Sequence, residues 1–247
     1  MTARPSCGTA PFPPLQILYH GPDALIINKP AGIAVHKGCK TTDDLEQHFV
    51  DLTFEQPAPP RLAHRLDKDT SGCLVLGRHG EALTRLGRLF SKGAVRKTYW
   101  AVVLGAPDQD AGVIDLPLRK LAGPRGGRME VAADGQQAVT DWRVLGLGNG
   151  LSWLELSPRT GRTHQIRAHC AHGLGCPILG DVTYGPLNGD RAIPLHLHAR
   201  HIAFHLNTEI QATAPCSAAM AQTLAGFGFS DQPQADNAAS IWPGGAA

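Results

Sequence analysis

The sequence has little net charge, few aromatic residues and no closely spaced cysteine pair. Its 23 Lys and Arg nearly cancel 21 Asp and Glu, leaving a formal +2, so the total by itself points to no polyanionic partner. The six cysteines lie at positions 7, 39, 73, 170, 176 and 216, with no CxxC among them. Thiols scattered in this way argue for reduced side chains rather than a disulfide framework. No apolar run approaches the roughly 20 residues a membrane helix needs. Met1 to Pro14 holds no hydrophobic signal core, so the expectation is a cytoplasmic protein that does not engage membranes. No Walker-type or dinucleotide-binding glycine loop occurs, and no nucleotide cofactor is indicated.

What is present is unevenly placed. Residues 1–60 carry four Lys/Arg against six Asp/Glu, and residues 208–247 carry three acids and no base. Residues 61–100 alone hold nine basic and three acidic residues. That regional excess suits a polyanionic substrate, although any single cation is equally at home on a solvated face.

The pattern of apolar residues predicts strands at 15–19 and 24–28 about the turn His20-Gly21-Pro22-Asp23. A helix opening at Thr41-Thr42-Asp43-Asp44 and running to about Asp51 is expected from its hydroxyls and early acids. Cys73 to Gly77 reads as a buried strand, and Glu81 to Ser91 as a helix with Leu83, Leu86, Leu89 and Phe90 on one stripe and Gly93 as its stop. Arg96 to Leu104 is rich in aromatic and β-branched residues and reads as a central strand. An edge segment at 112–117, strands at about 129–133, 137–145 and 151–157, a helix over Thr163 to Ala171 and a last strand at about 195–206 complete the pattern. Residues 122–128 form a glycine-rich basic loop, and from Phe227 onward few core candidates remain. Strands outnumber helices without strict alternation, which predicts one mixed α+β domain over 15–215, with a short N-terminus at 1–14 and a loosely ordered tail at 227–247.

The densest concentration of chemistry is Ala63-His64-Arg65-Leu66-Asp67-Lys68-Asp69-Thr70-Ser71-Gly72. Two carboxylates, two cations and two hydroxyls cannot all be buried without partners, so this is a loop, held beside the apolar strand that follows. Its His64–Gly72 segment, HRLDKDTSG, resembles the signature loop of the RluA-type RNA pseudouridine synthases. The resemblance extends to Asn28-Lys29-Pro30-Ala31-Gly32, Lys97-Thr98-Tyr99, Arg159 to Arg167 (RTGRTHQIR), Gly180-Asp181 with Tyr184-Gly185, and Leu197-His198-Ala199. Ordered motifs from about Ile17 to Phe204 are far more specific than any one of them.

The resemblance implies a mainly antiparallel pseudouridine-synthase-like sheet, an isomerase of uridine in ribosomal or transfer RNA, and no cofactor or metal. It places Asp67 as the catalytic group, Tyr99 as the ring that stacks on the target base, and Arg167 as the cation holding Asp67 ionised. Without it, Asp67 reads first as an Asx-turn residue and Arg167 as a surface helix cation, and Tyr99 reads also as strand core. Strand alternation points Tyr99 and Trp100 to opposite faces, so one of the two faces a pocket. Arg65, Lys68, Arg96, Lys97 and the 122–128 loop are candidates for phosphate contact, Arg162 for phosphate contact or structural pairing, and Thr70 and Leu197 for packing against substrate. His164, His169, Cys170, His172 and Cys176 invite a metal reading, but their spacing fits neither a CxxC pair nor HExxH. About fourteen residues precede the first strand, too few for the RNA-binding domain that many family members carry there. A monomer is expected, and an inactive RNA-binding module on the same fold is the alternative to an enzyme.

Overall fold

The computed structural model describes residues 14–37, 44–121, 128–186, 190 and 192–228. Among the described residues there are twelve strands: β1 (Gln16–His20), β2 (Ala24–Lys29), β3 (Arg61–Leu62), β4 (Ser71–Gly77), β5 (Arg96–Leu104), β6 (Ala111–Asp115), β7 (Leu118–Lys120), β8 (Met129–Val131), β9 (Val139–Gly148), β10 (Leu151–Pro158), β11 (Leu197–His205) and β12 (Glu209–Thr213). Ten of them form one sheet in the order β1-β2-β4-β11-β5-β10-β9-β6, with β12 on β11 and β3 on β4, while β7 and β8 pair separately. The α-helices among the described residues, α1 (Gly80–Ser91), α2 (Gln165–Gly173) and α3 (Ala218–Ala225), pack around it. The architecture is mixed α+β with a mainly antiparallel sheet, as the sequence predicts.

Both faces of the sheet are covered, which is why β2 and β4 read as continuous apolar runs rather than alternating ones. On one face Ala24, Ile26, Cys73 and Val75 pack with Leu86 of α1 and with Ile202 and Phe204. On the other, Leu25, Ile27, Leu74 and Leu76 pack with Leu45, Phe49 and Leu66. Further along the sheet the same division places Ile166 and Cys170 of α2 against Leu154, Leu156 and Leu197, and α3 against Val102 and Trp153. Tyr99 packs on the α2 side and Trp100 on the α3 side, as strand alternation requires.

Several elements differ from expectation. The helix expected over 41–51 is a 3-10 helix at Leu45–Leu52. The Asp44 side chain does not cap it and instead accepts from Gln47 Nε2 at 2.8 Å; Thr41 to Asp43 lie outside the described residues. The helix expected from Thr163 begins at Gln165, because the Gln165 side chain folds back to accept the Arg162 N–H at 2.9 Å and closes the preceding turn. β12 and α3 have no counterpart in the sequence reading. Met220 and Leu224 of α3 are buried, and Phe227 packs against the cluster they join, so the packed structure continues past 215. The tail from 229, the loop at 122–127, the N-terminus to 13, and Cys7 and Cys39 lie outside the described residues. Of the described cysteines, Cys73, Cys170 and Cys176 are buried thiols and Cys216 is half-buried.

One junction sets the geometry of the site. β4 and β11 run parallel over two residue pairs, His198 with Ser71 and Ala199 with Gly72. Gly72 has φ +108°, and a Cβ there would run into the Ala199 carbonyl. The loop that ends at Gly72 therefore enters the sheet at a point where only glycine fits. Gly72→Ala is expected to cost about 3 kcal/mol or more, from a disallowed φ and backbone overlap together, measured as a lower urea midpoint.

Candidate active site

The loop between β3 and β4 is pinned at several points. Ala63 donates its N–H to Val75 O at 3.1 Å, and His64 Nε2 accepts the Val75 N–H at 3.0 Å. An accepting Nε2 means a neutral ring with its proton on Nδ1. Burial, reinforced by the Lys97 charge, pulls the His64 pKa down to about 3, and the ring stacks on Phe90 with centroids 4.4 Å apart. Leu66 is buried, and the Thr70 N–H closes a turn onto the Asp67 main-chain carbonyl at 3.2 Å. The Asp67 carboxylate, its side chain 19% exposed, is left pointing at the α2 side.

Lys29 holds this loop from below. Its side chain is fully buried at the end of β2, on the same face as Leu25 and Ile27. Its ammonium donates to Pro30 O at 2.7 Å, Lys68 O at 2.9 Å and Thr70 O at 2.9 Å, using all three protons on main-chain carbonyls. Burial lowers its pKa to about 8, against the opposing charges of Asp69 and Asp67.

Arg167 reaches the same place from a hundred residues away. Its Nε and Nη2 grip Asp181 at 2.7 and 2.8 Å, and Nη2 also donates to Thr183 Oγ1 at 3.0 Å. Nη1 is thereby aimed at Asp67 Oδ2, 3.4 Å away. Burial disfavours the charge, but Asp181 and then Asp67 outweigh it and hold the guanidinium above its ordinary pKa. Asp181 is fixed in turn by the N–H groups of Thr183 and Tyr184, at 2.8 and 3.0 Å; burial is overcome by Arg167, and its carboxyl lies below the usual range. Tyr184 lies under the guanidinium, 5.3 Å from ring centroid to Cζ.

Of the residues singled out in the sequence, the fold brings together Asp67, Arg167 and Tyr99. Burial and then the Asp67 charge raise the Tyr99 phenol well above its ordinary pKa, so at neutral pH it is a protonated ring rather than a phenolate. Thr70 and Leu197 are 3% and 4% exposed; the Thr70 main-chain carbonyl accepts from Lys29, and Leu197 packs in the core against α2. Arg96 is exposed and paired with Glu209 at 2.6 Å, while Lys97 is half-buried and turned towards Thr160 O at 3.4 Å. Arg65, Lys68 and Arg162 are exposed. Arg162 flanks an open groove of about 310 Å³ beside the β7–β8 hairpin, with Arg119 and Lys120 on its wall.

The His/Cys group does not converge. His169 bonds Thr140 Oγ1 and Leu116 O at 2.9 and 3.1 Å, and Cys170 lies in the core. Among the described residues no three His, Cys, Asp or Glu side chains form a metal-like cluster. Lys29, His64 and Asp181 were not given roles from sequence. A lysine in core register at the end of a buried strand was the available signal for the first; the other two lie in the motifs quoted above, which give them no task of their own.

This geometry has close relatives. The RNA pseudouridylate synthase family model matches residues 23–172. An uncharacterized RNA pseudouridine synthase of Zymomonas mobilis is 42% identical over 203 residues, covering 81% of this chain and 93% of that one. The mitochondrial pseudouridylate synthase RPUSD4 of Xenopus tropicalis is 34% identical over 240 residues, covering 82% and 73%. The solved structure of human RNA pseudouridylate synthase domain containing 4 superposes with a TM-score of 0.72 at 30% identity, covering 86% of this chain and 92% of that one. The chain belongs to the RluA family of RNA pseudouridine synthases, and is an isomerase.

Two outcomes test the pinned loop. Lys29→Met strands three buried carbonyls, each worth about 1 kcal/mol or more, and is expected to lower the urea midpoint strongly. For His64 the folded pKa of about 3 lies below the unfolded 6.5, so the unfolded chain binds the extra proton between them. Its contribution is complete above pH 6.5 and is lost as pH falls towards 3. His64→Leu, weakened by about 1–3 kcal/mol at neutral pH through the orphaned Val75 N–H, is expected to lose less than wild type on acidification in the same urea titration.

Proposed function

We propose that this enzyme converts specific uridines of ribosomal or transfer RNA to pseudouridine, with Asp67 as the catalytic carboxylate. The observation that carries the reading is a partly exposed carboxylate on a pinned loop, 3.4 Å from a guanidinium locked by another acid. The reaction breaks the bond from ribose C1′ to uracil N1, turns the base, joins C1′ to C5 and moves the C5 proton to solvent or to N1, so atoms balance with no co-reactant. Asp67 acts on the nucleotide as nucleophile or base, with the Arg167 guanidinium beside it as a charged hydrogen-bond partner. Tyr99 offers a face on which the uracil rests once unstacked from its RNA. Arg65, Lys68 and Arg162 take phosphates, which recovers the few kcal/mol that unstacking costs.

The reading is tested by mapping pseudouridine in ribosomal and transfer RNA from cells lacking the gene and cells restored with wild-type or Asp67→Ala protein. One or a few sites are expected to vanish on deletion and to return with wild type alone, the variant's turnover falling by about a thousandfold or more. Recovery by Asp67→Ala would remove Asp67 from the chemistry.

A further inference from the structure

His164 is the remaining titratable group at Asp67, and its backbone is unusual. It stands immediately before α2 with φ +50°, a left-handed conformation that costs a non-glycine residue on the order of 1 kcal/mol and must be held by its surroundings. It does not cap the helix with its side chain. The ring instead lies between Asp67 and Tyr184, with Nε2 3.7 Å from Asp67 Oδ2 and Nδ1 3.2 Å from the Tyr184 hydroxyl.

The hydrogen bonds assign the tautomer. Tyr184 Oη already accepts the Met129 N–H at 2.7 Å, so its own proton is free to be donated, and His164 Nδ1 is the acceptor within reach. With Nδ1 accepting, the ring proton sits on Nε2 and points at the carboxylate. We propose that His164 is a positioning residue for Asp67, fixed by Tyr184 as the Nε2–H tautomer, which gives the carboxylate a second donor beside Arg167. The inference rests on Asp67 being the catalytic group. A separation of 3.7 Å is too long for a hydrogen bond in the free enzyme; such contacts commonly shorten when substrate closes the site.

The groups facing His164 decide its charge. Burial, Arg167 and Arg65 oppose protonation, Asp67 and Asp181 favour it, and burial leads, leaving the pKa below the ordinary value. Tyr184, the partner at Nδ1, is itself flanked by Arg128 and Arg167 over its ring and by the His172 ring at its edge. At neutral pH the ring is therefore an uncharged donor, and Arg167 remains the cation of the site.

The test has a structural arm and a kinetic arm. Nitrogen-15 NMR of the His164 ring in the intact protein is expected to show the Nε2–H tautomer, and Tyr184→Phe to shift it towards a mixture. Because asparagine tolerates the left-handed backbone, His164→Asn keeps the fold but falls short of Asp67; His164→Gln places an amide N–H near the Nε2 position. His164→Asn is expected to lower kcat about tenfold with KM within twofold, and His164→Gln to recover most of it. An Nδ1–H tautomer in wild type, or wild-type kcat in His164→Asn, overturns the proposal. Equal losses in both variants, tracking lower melting temperatures, would assign His164 to structure alone and overturn it too. The NMR arm stands even if Asp67→Ala proves active, so the two failures are distinguishable.

Discussion

The site depends on one buried ion pair, Arg167 with Asp181. Removing two charges from water is costly, and such a pair persists only where further hydrogen bonds complete it. Here the two oxygens of Asp181 are used by Arg167 and by two main-chain N–H groups, and the guanidinium spends Nε and Nη2 on Asp181 and Thr183. What remains is Nη1, pointing where α2 meets the loop. The pair thus turns a flexible side chain into a donor with a fixed direction, which a lysine at the same position would not reproduce.

Lys29 performs the complementary task on the carboxylate side. An ammonium among three carbonyls sets the path of the chain from Lys68 to Thr70, and Gly72 then locks that path into the parallel contact with β11. The acid and its cation come from segments a hundred residues apart, yet each is held by groups outside their own contact. Electrostatic catalysis requires that kind of order before the reaction begins, because dipoles that must turn during the reaction give back what they stabilise.

Much of this was legible in the sequence, for identifiable reasons. β5 falls at 96–104 because an unbroken aromatic and β-branched run leaves the backbone little choice. Asp67, Tyr99 and Arg167 were legible as a set because ordered motifs constrain one another. α3 was hidden by its composition: Ala218–Ala225 lies in an alanine-rich stretch, and only Met220 and Leu224 are buried. β12 escaped for a similar reason, since Glu209-Ile-Gln-Ala-Thr offers two buried residues in five. Lys29 and His64 act by bonding to main-chain groups, and Asp181 by gripping Arg167, so their tasks follow from the folded geometry and not from the residue pattern.

The fold also explains how a chain of net charge +2 handles a polyanion. Arg96, Arg119, Arg143 and Arg159 are each held by a carboxylate, at 2.6, 2.7, 2.8 and 2.5 Å. Among the described residues Arg65 and Lys68, which flank Asp67, and Arg162 beside the groove enter no such pair. Those four cations are thus paired in place, while Arg65, Lys68 and Arg162 are left to meet an anion from outside. Fields of exposed charges die away within about 10 Å at ordinary salt, so it is this local excess, and not the total, that a phosphate meets on approach.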